Sequence, residues 1–144
     1  MLGSTARKLR ILGFDTIYDS ISNDKDLVEV TLSTGRTLLT ADHDLYVYTK
    51  AVKGNAILVN AKSEKEKLYQ VLAKSGVQKI SRDSLVSRCS ICNGEIADTG
   101  TKKQDNENIY SCNNCGKAYW RGSHWRKMKT LFDEVDSELT KKTK

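Results

Sequence analysis

Four cysteines stand in two pairs, Cys89-Ser-Ile-Cys92 and Cys112-Asn-Asn-Cys115, with nineteen residues between the pairs. Each pair can wrap one side of a tetrahedral ion, and a spacer of that length can fold as a β-hairpin that brings the pairs together. Four thiolates at Zn–S distances near ~2.3 Å close the shell of a structural zinc site. Asn93-Gly94 and Gly116 follow the pairs, where knuckle turns need residues that tolerate positive φ. Two disulfides would be the competing use of four cysteines. A redox Cys-x-x-Cys has no need of a second pair, and iron suits the spacer less well. We therefore read Cys89, Cys92, Cys112 and Cys115 as the ligands of a zinc ribbon spanning about 88–122, a module that needs its metal to fold. His124 is a spare candidate ligand that four thiolates leave no place for, so it reads as a surface or RNA-contacting residue.

The second chemical set is acidic. Asp42 and Asp44 follow the apolar run Leu38–Leu39 and a hydroxyl residue, Thr40. That order describes a buried strand delivering polar groups to the carboxyl edge of a sheet, where open α/β sheets bind ligands. Asp24 is a third candidate. Clustered carboxylates that hold Mg²⁺ or Mn²⁺ hydrolyse phosphodiesters, because the metal activates water and neutralises charge on the leaving oxygen. The competing reading makes Asp24 and Asp42 helix caps and Asp44 a first-turn charge on a helix dipole. His43 lies between two of the acids, and in an extended segment it would point away from them.

The elements that must position these groups alternate. Residues 3–12 read as a helix with Ser4 or Thr5 as cap, Ala6, Leu9 and Leu12 on one face and Gly13 as its stop. Arg7, Lys8 and Arg10 lie largely off that face. Asp15–Tyr18 reads as a short strand. Residues 24–34 fit either element: Val28, Val30 and Leu32 alternate as in a strand, while Asn23 or Asp24 and Gly35 would cap a helix. A strand at 36–40, a short helix over 44–50 and a buried strand at 56–59 follow. A clearer helix at 63–75 has Ser63 and Glu66 at capping-box spacing and ends at Gly76. This alternation over 1–80 argues for a parallel sheet flanked by helices. Residues 77–88 form a polar, basic connection, so the chain divides into an α/β domain at 1–80 and a ribbon with its exit helix at 81–144. In 123–140, Trp125, Met128, Phe132, Val135 and Leu139 recur at spacings of three and four, the stripe of an amphipathic helix packed on a core.

Twenty-four basic residues against eighteen acidic ones leave a net charge of +6 over 144 residues, which favours a polyanionic partner. The excess is local. Residues 1–60 are balanced, seven against seven, while 117–129 carry five basic residues and no acid. Lys117, Arg121, Arg126, Lys127 and Lys129, with Arg7, Lys8 and Arg10, are the candidate phosphate contacts, and Trp120 or Trp125 could stack a base. No apolar run approaches the ~20 residues of a membrane span, and no signal-peptide pattern is visible. Paired cysteines of metal type and no leader point to the reducing cytoplasm.

Met1-Leu2-Gly3, Ala6-Arg7 and Leu9–Thr16 resemble the opening of the Mut-seven C-terminal RNase family, in which a PIN-like nuclease fold is joined to a zinc ribbon. Gly35–Asp42 resembles its second signature, and the cysteine pairs with Tyr119–Trp125 resemble its ribbon and exit. The resemblance covers about residues 1–128. It implies that 24–34 is a helix, that Asp24, Asp42 and Asp44 occupy positions of the family's acids, and that the fold is a PIN-like sheet followed by a ribbon. Family members begin with a strand carrying an aspartate just ahead of the Met-Leu-Gly helix, and the chain as given starts at that Met. The sequence thus supports two expectations. One is a Mg²⁺- or Mn²⁺-dependent RNase acting on single-stranded or ribosomal RNA. The other is a nuclease fold without the chemistry that remains an RNA-binding protein of the ribosome or its precursors. A toxin-like or protein-partner role has no feature behind it.

Overall fold

The computed structural model describes residues 2–18, 23–80 and 88–142. Helix α1 runs Gly3–Ile11 and starts at Leu2, with no side-chain cap. Ser4 and Thr5, expected as caps, lie inside it: Thr5 is buried and Ser4 Oγ accepts from Lys8 Nζ at 2.6 Å. Gly13, at φ +100°, turns the chain out of the helix. The strand expected at Asp15–Tyr18 is absent, because this segment bonds to side chains rather than to a neighbouring strand. Thr16 O accepts from Arg10 Nε at 2.8 Å, and Thr16 N donates to Asn93 Oδ1 at 3.0 Å.

The two readings of 24–34 resolve as a helix, α2, Asp24–Thr34. Its ends decide it. Asn23 Oδ1 accepts from Asp26 N at 2.8 Å, and Gly35 adopts φ +73° while its N–H donates to Thr31 O. The alternating residues Val30 and Leu32 are left exposed, and Val28 and Thr31 are the buried ones. Strand β1 (Thr37–Thr40) pairs in parallel with β2 (Asn55–Leu58), placing Leu38 against Ala56 and Thr40 against Leu58. Helix α3 (His43–Ala51) connects them, and α4 (Glu64–Lys74) follows, with Ser63 Oγ accepting from Glu66 N at 3.1 Å.

The second unit is an antiparallel sheet in the order β3 (Ile96–Lys102), β4 (Asn108–Cys112), β5 (Ala118–Tyr119). Its register sets Ile96 opposite Cys112 and Tyr110 opposite Tyr119. Helix α5 spans Ser123–Lys142. Its stripe packs as core: Phe132, Val135 and Leu139 are buried, with Trp125 and Met128 half-buried against them. They join Leu9 and Ile11 of α1, Ile57 of β2, Val59, and Leu68, Val71 and Leu72 of α4 in one cluster. The last helix therefore completes the core of the α/β half, although the ribbon precedes it in the chain. Each such side chain contributes on the order of 1.5–3 kcal/mol by leaving water. Val77 and Ile80 join this core, and Ile80 N donates to Asp136 Oδ1 at 2.8 Å, so the connection expected to be polar begins packed. Residues 81–87 of that connection lie outside the described residues.

A groove of about 500 Å³ runs beside β1, walled by α1, α2 and the segment 14–18. Leu39, Thr40 and Ala41 line it at the end of β1 that leads to Asp42.

Candidate functional site

The cysteines converge as their spacing predicts. The Sγ atoms of Cys89, Cys92, Cys112 and Cys115 all lie within 4.8 Å of one another. The Cys89–Cys115 and Cys92–Cys112 separations are 3.6 and 3.4 Å. A tetrahedron with Zn–S bonds of ~2.3 Å has edges near ~3.8 Å, so the four thiolates fit such an ion. Among the described residues this is the one cluster of three or more histidine, cysteine or acidic side chains able to hold a metal. The turns are built for it. Asn114 N and Cys115 N point at Cys112 Sγ at 3.3 and 3.4 Å, and the positive φ of the two knuckles falls on Asn93 and Gly116. Gly94 serves a different need: a Cβ there would lie 2.9 Å from Cys112 Sγ and 2.9 Å from the Asn114 Cβ.

The donors around the sulfurs favour thiolates. Asn114, then the Gly94 backbone, pull the Cys92 thiol down to about 6. Cys89 is desolvated by burial, but hydrogen bonds from Tyr119, Cys92 and Ile91 outweigh that and lower it. At Cys115 the Lys117 backbone favours ionisation, yet desolvation and the neighbouring cysteines push the thiol up to about 11. A cation bound among the four sulfurs would favour the thiolate form of each. Tyr119, missed as a site residue from sequence, orients the cluster. Its hydroxyl lies 2.9 Å from Cys89 Sγ and accepts from Ser90 N at 3.0 Å, a partnership between positions thirty apart that local pattern cannot reveal.

The first knuckle is clamped to α1. Arg10, expected as a phosphate contact, is 7% exposed, and its Nη1 donates to Ser90 O at 2.9 Å and Ile91 O at 3.2 Å. This corrects the surface reading, because its guanidinium is consumed between helix and knuckle. Asn93 Nδ2 donates to Asp15 Oδ1 at 2.7 Å, and Arg36 Nη2 pairs with Asp15 Oδ2 at 2.9 Å. Arg36, then Asn93, hold the Asp15 carboxyl below its ordinary value.

The candidate acids sit at helix starts. Asp42 follows β1 and caps α3, its Oδ1 accepting from Asp44 N at 2.9 Å and Leu45 N at 3.2 Å. Asp44 is exposed in the first turn of α3, with His43 Nδ1 3.9 Å from its carboxylate. Asp24 is exposed in the first turn of α2. These three are not gathered into a ligand set of the kind the cysteines form.

Of the candidate phosphate contacts, Arg7, Lys117, Arg126, Lys127 and Lys129 are exposed. Lys129 pairs with Asp133 at 3.4 Å, and Lys8 bonds to Ser4 and lies 3.5 Å from Glu64. Arg121 is half-buried, with Nε enclosed and no hydrogen-bond partner among the described residues. The tryptophans separate: Trp125 packs on the core and Trp120 remains 46% exposed. His124 is exposed, away from any need for a fifth ligand.

Among the described residues no helix is long and apolar enough to cross a membrane. No curated protein and no solved structure matches the chain. The Mut7-C RNAse domain family matches over residues 1–132, from the first helix through the cysteine cluster into α5. With that match spanning both halves, and with the strand-to-acid edge and the four-cysteine cluster in the order the sequence motifs require, the chain belongs to the Mut7-C RNAse domain family.

Proposed function

We propose that this chain acts on RNA as a PIN-like nuclease fold carrying a structural zinc ribbon in the cytoplasm. Phosphates are held by Arg7, Lys117, Arg121, Arg126, Lys127 and Lys129, and Mg²⁺ or Mn²⁺ is drawn to the acidic end of the sheet. Asp42 is the residue that would hold the cation there, with Asp24 and Asp44 as the further acids the family resemblance offers although they are not gathered with it, and a bound cation would supply an activated water and charge neutralisation at a phosphodiester. The carrying observation is the family match over residues 1–132 together with the position of Asp42, two residues past β1 and next in the chain to Ala41 of the groove lining. Zinc at the four thiolates holds the ribbon's shape and takes no part in cleavage.

A second reading has its own observation. Asp42 is occupied in capping α3, and the described acids do not converge, which favours an RNA-binding protein of the ribosome or its precursors that no longer cuts. Incubating zinc-loaded protein with single-stranded RNA and Mn²⁺ or Mg²⁺, beside Asp42→Asn, separates the two. Metal-dependent cutting that Asp42→Asn abolishes establishes the nuclease. Salt-sensitive binding without cutting establishes the binding protein, and neither cutting nor binding refutes both.

A further inference from the structure

We propose that Trp120 is a base-stacking platform for single-stranded RNA, with Lys103, Lys117 and Arg121 as the cations that meet its phosphates. The proposal rests on the RNA association inferred above and adds where the strand is gripped and that it is single.

Burial accounts for Trp125 but not for Trp120, which keeps 46% of its surface in water. The exposed ring is nevertheless held in place. Gly122 N donates to Trp120 O at 3.0 Å, and a Cβ on residue 122 would come within 2.9 Å of the indole Nε1 and 3.2 Å of Cδ1. A bare glycine is what lets the indole lie against its own turn. Lys103, just past β3, brings Nζ to 3.9 Å from the ring centroid. One residue earlier the pairing repeats more loosely, with Lys117 Nζ 5.5 Å from the Tyr119 ring. The ammonium lies over the indole face, so a base that stacks there displaces Lys103 Nζ from the ring and leaves it to meet the phosphate.

Lys103, Lys117, Arg121, Arg126 and Lys127 form no ion pair with another described residue, whereas Lys8 and Lys129 do. The bases of an A-form duplex are already stacked on each other and cannot reach an indole, so the geometry selects unpaired RNA.

The test uses the full zinc-loaded chain, a labelled oligouridylate of about ten nucleotides and a blunt RNA duplex of equal length. Trp120→Ala should weaken single-strand binding at least about fivefold, leave duplex binding within about twofold, and abolish the fluorescence quench that the oligouridylate causes in the wild type. Should Trp120→Ala fail to retain zinc, Trp120→Phe and Trp120→Leu decide: phenylalanine should preserve affinity, and leucine, of similar bulk without a π face, should lose it. Equal affinity of those two, or equal loss of single-strand and duplex binding, would overturn the platform while RNA association stands. A wild type that binds neither RNA overturns the platform and the underlying reading together.

Discussion

Arg10 donates to the carbonyls of Thr16, Ser90 and Ile91, so three backbone oxygens replace the water its charge gave up. Arg10→Met keeps much of the stem and orphans those carbonyls. It should cost about 2–4 kcal/mol in urea unfolding of the zinc-loaded protein. A loss below about 0.5 kcal/mol would mean that water substitutes for the guanidinium and that the clamp is incidental. The sequence places this arginine largely off the apolar face of α1, whereas in the fold it is buried together with Ala6 and Leu9. What periodicity leaves out is the cover: two of the three carbonyls that bind it come from residues eighty and eighty-one positions away. Asp15 belongs to the same clamp and carries a pH dependence. Its folded pKa is lowered, by Arg36 first and Asn93 second, so its stabilisation is complete above the unfolded value near ~4 and is lost as pH falls through the folded value. The melting-temperature margin of wild type over Asp15→Ala should hold steady from pH 7 to about 5 and shrink below about 4. A margin already shrinking above pH 6 would assign the effect to another group.

At the level of elements, helix starts and stops were most legible where a side chain or a glycine makes the cap. Ser63 identifies α4 because it satisfies backbone groups locally, whereas Asn23 and Gly35 left α2 open to a strand reading that only the family resemblance decided, although both turn out to cap it. Residues 15–18 misled for the opposite reason: β-prone side chains there pair with no strand among the described residues, and side-chain bonds hold the backbone instead. Asp42 combines both lessons, since it caps α3 and is also the strongest candidate acid. Its two roles can be separated chemically. Asparagine caps a helix about as well as aspartate, whereas alanine forfeits about 1 kcal/mol. Asp42→Ala should therefore lower stability by about that amount, while Asp42→Asn stays within a few tenths. Equal unfolding midpoints for all three proteins would show that the cap contributes nothing. The contrast also makes Asp42→Asn the proper variant for RNA cleavage, because any activity it loses cannot be ascribed to a weakened α3.

Across the whole molecule the two halves are joined in two physically different ways. Helix α5 enters the apolar cluster with α1, β2 and α4, and no residue of the ribbon belongs to that cluster. The ribbon instead meets α1 and residues 14–16 through Arg10, Asp15, Thr16 and Asn93, a polar contact whose geometry is set by the first cysteine knuckle. Removing the metal should therefore release structure selectively. Without a cation the four sulfurs repel, the knuckle loosens, and Thr16 N loses the Asn93 acceptor that holds it at 3.0 Å. The apolar cluster does not depend on that contact, so α4 and α5 should keep their order. Hydrogen exchange before and after chelation reads this directly, since amide protection reports local opening. Amides of 89–119 and of 14–17 should exchange faster together, while those at Leu68, Leu72 and Val135 stay protected. Acceleration confined to 89–119 would show that the clamp survives without metal. Simultaneous loss at Leu72 and Val135 would show that metal binding and the apolar core form one cooperative unit, contrary to the division argued from the contacts.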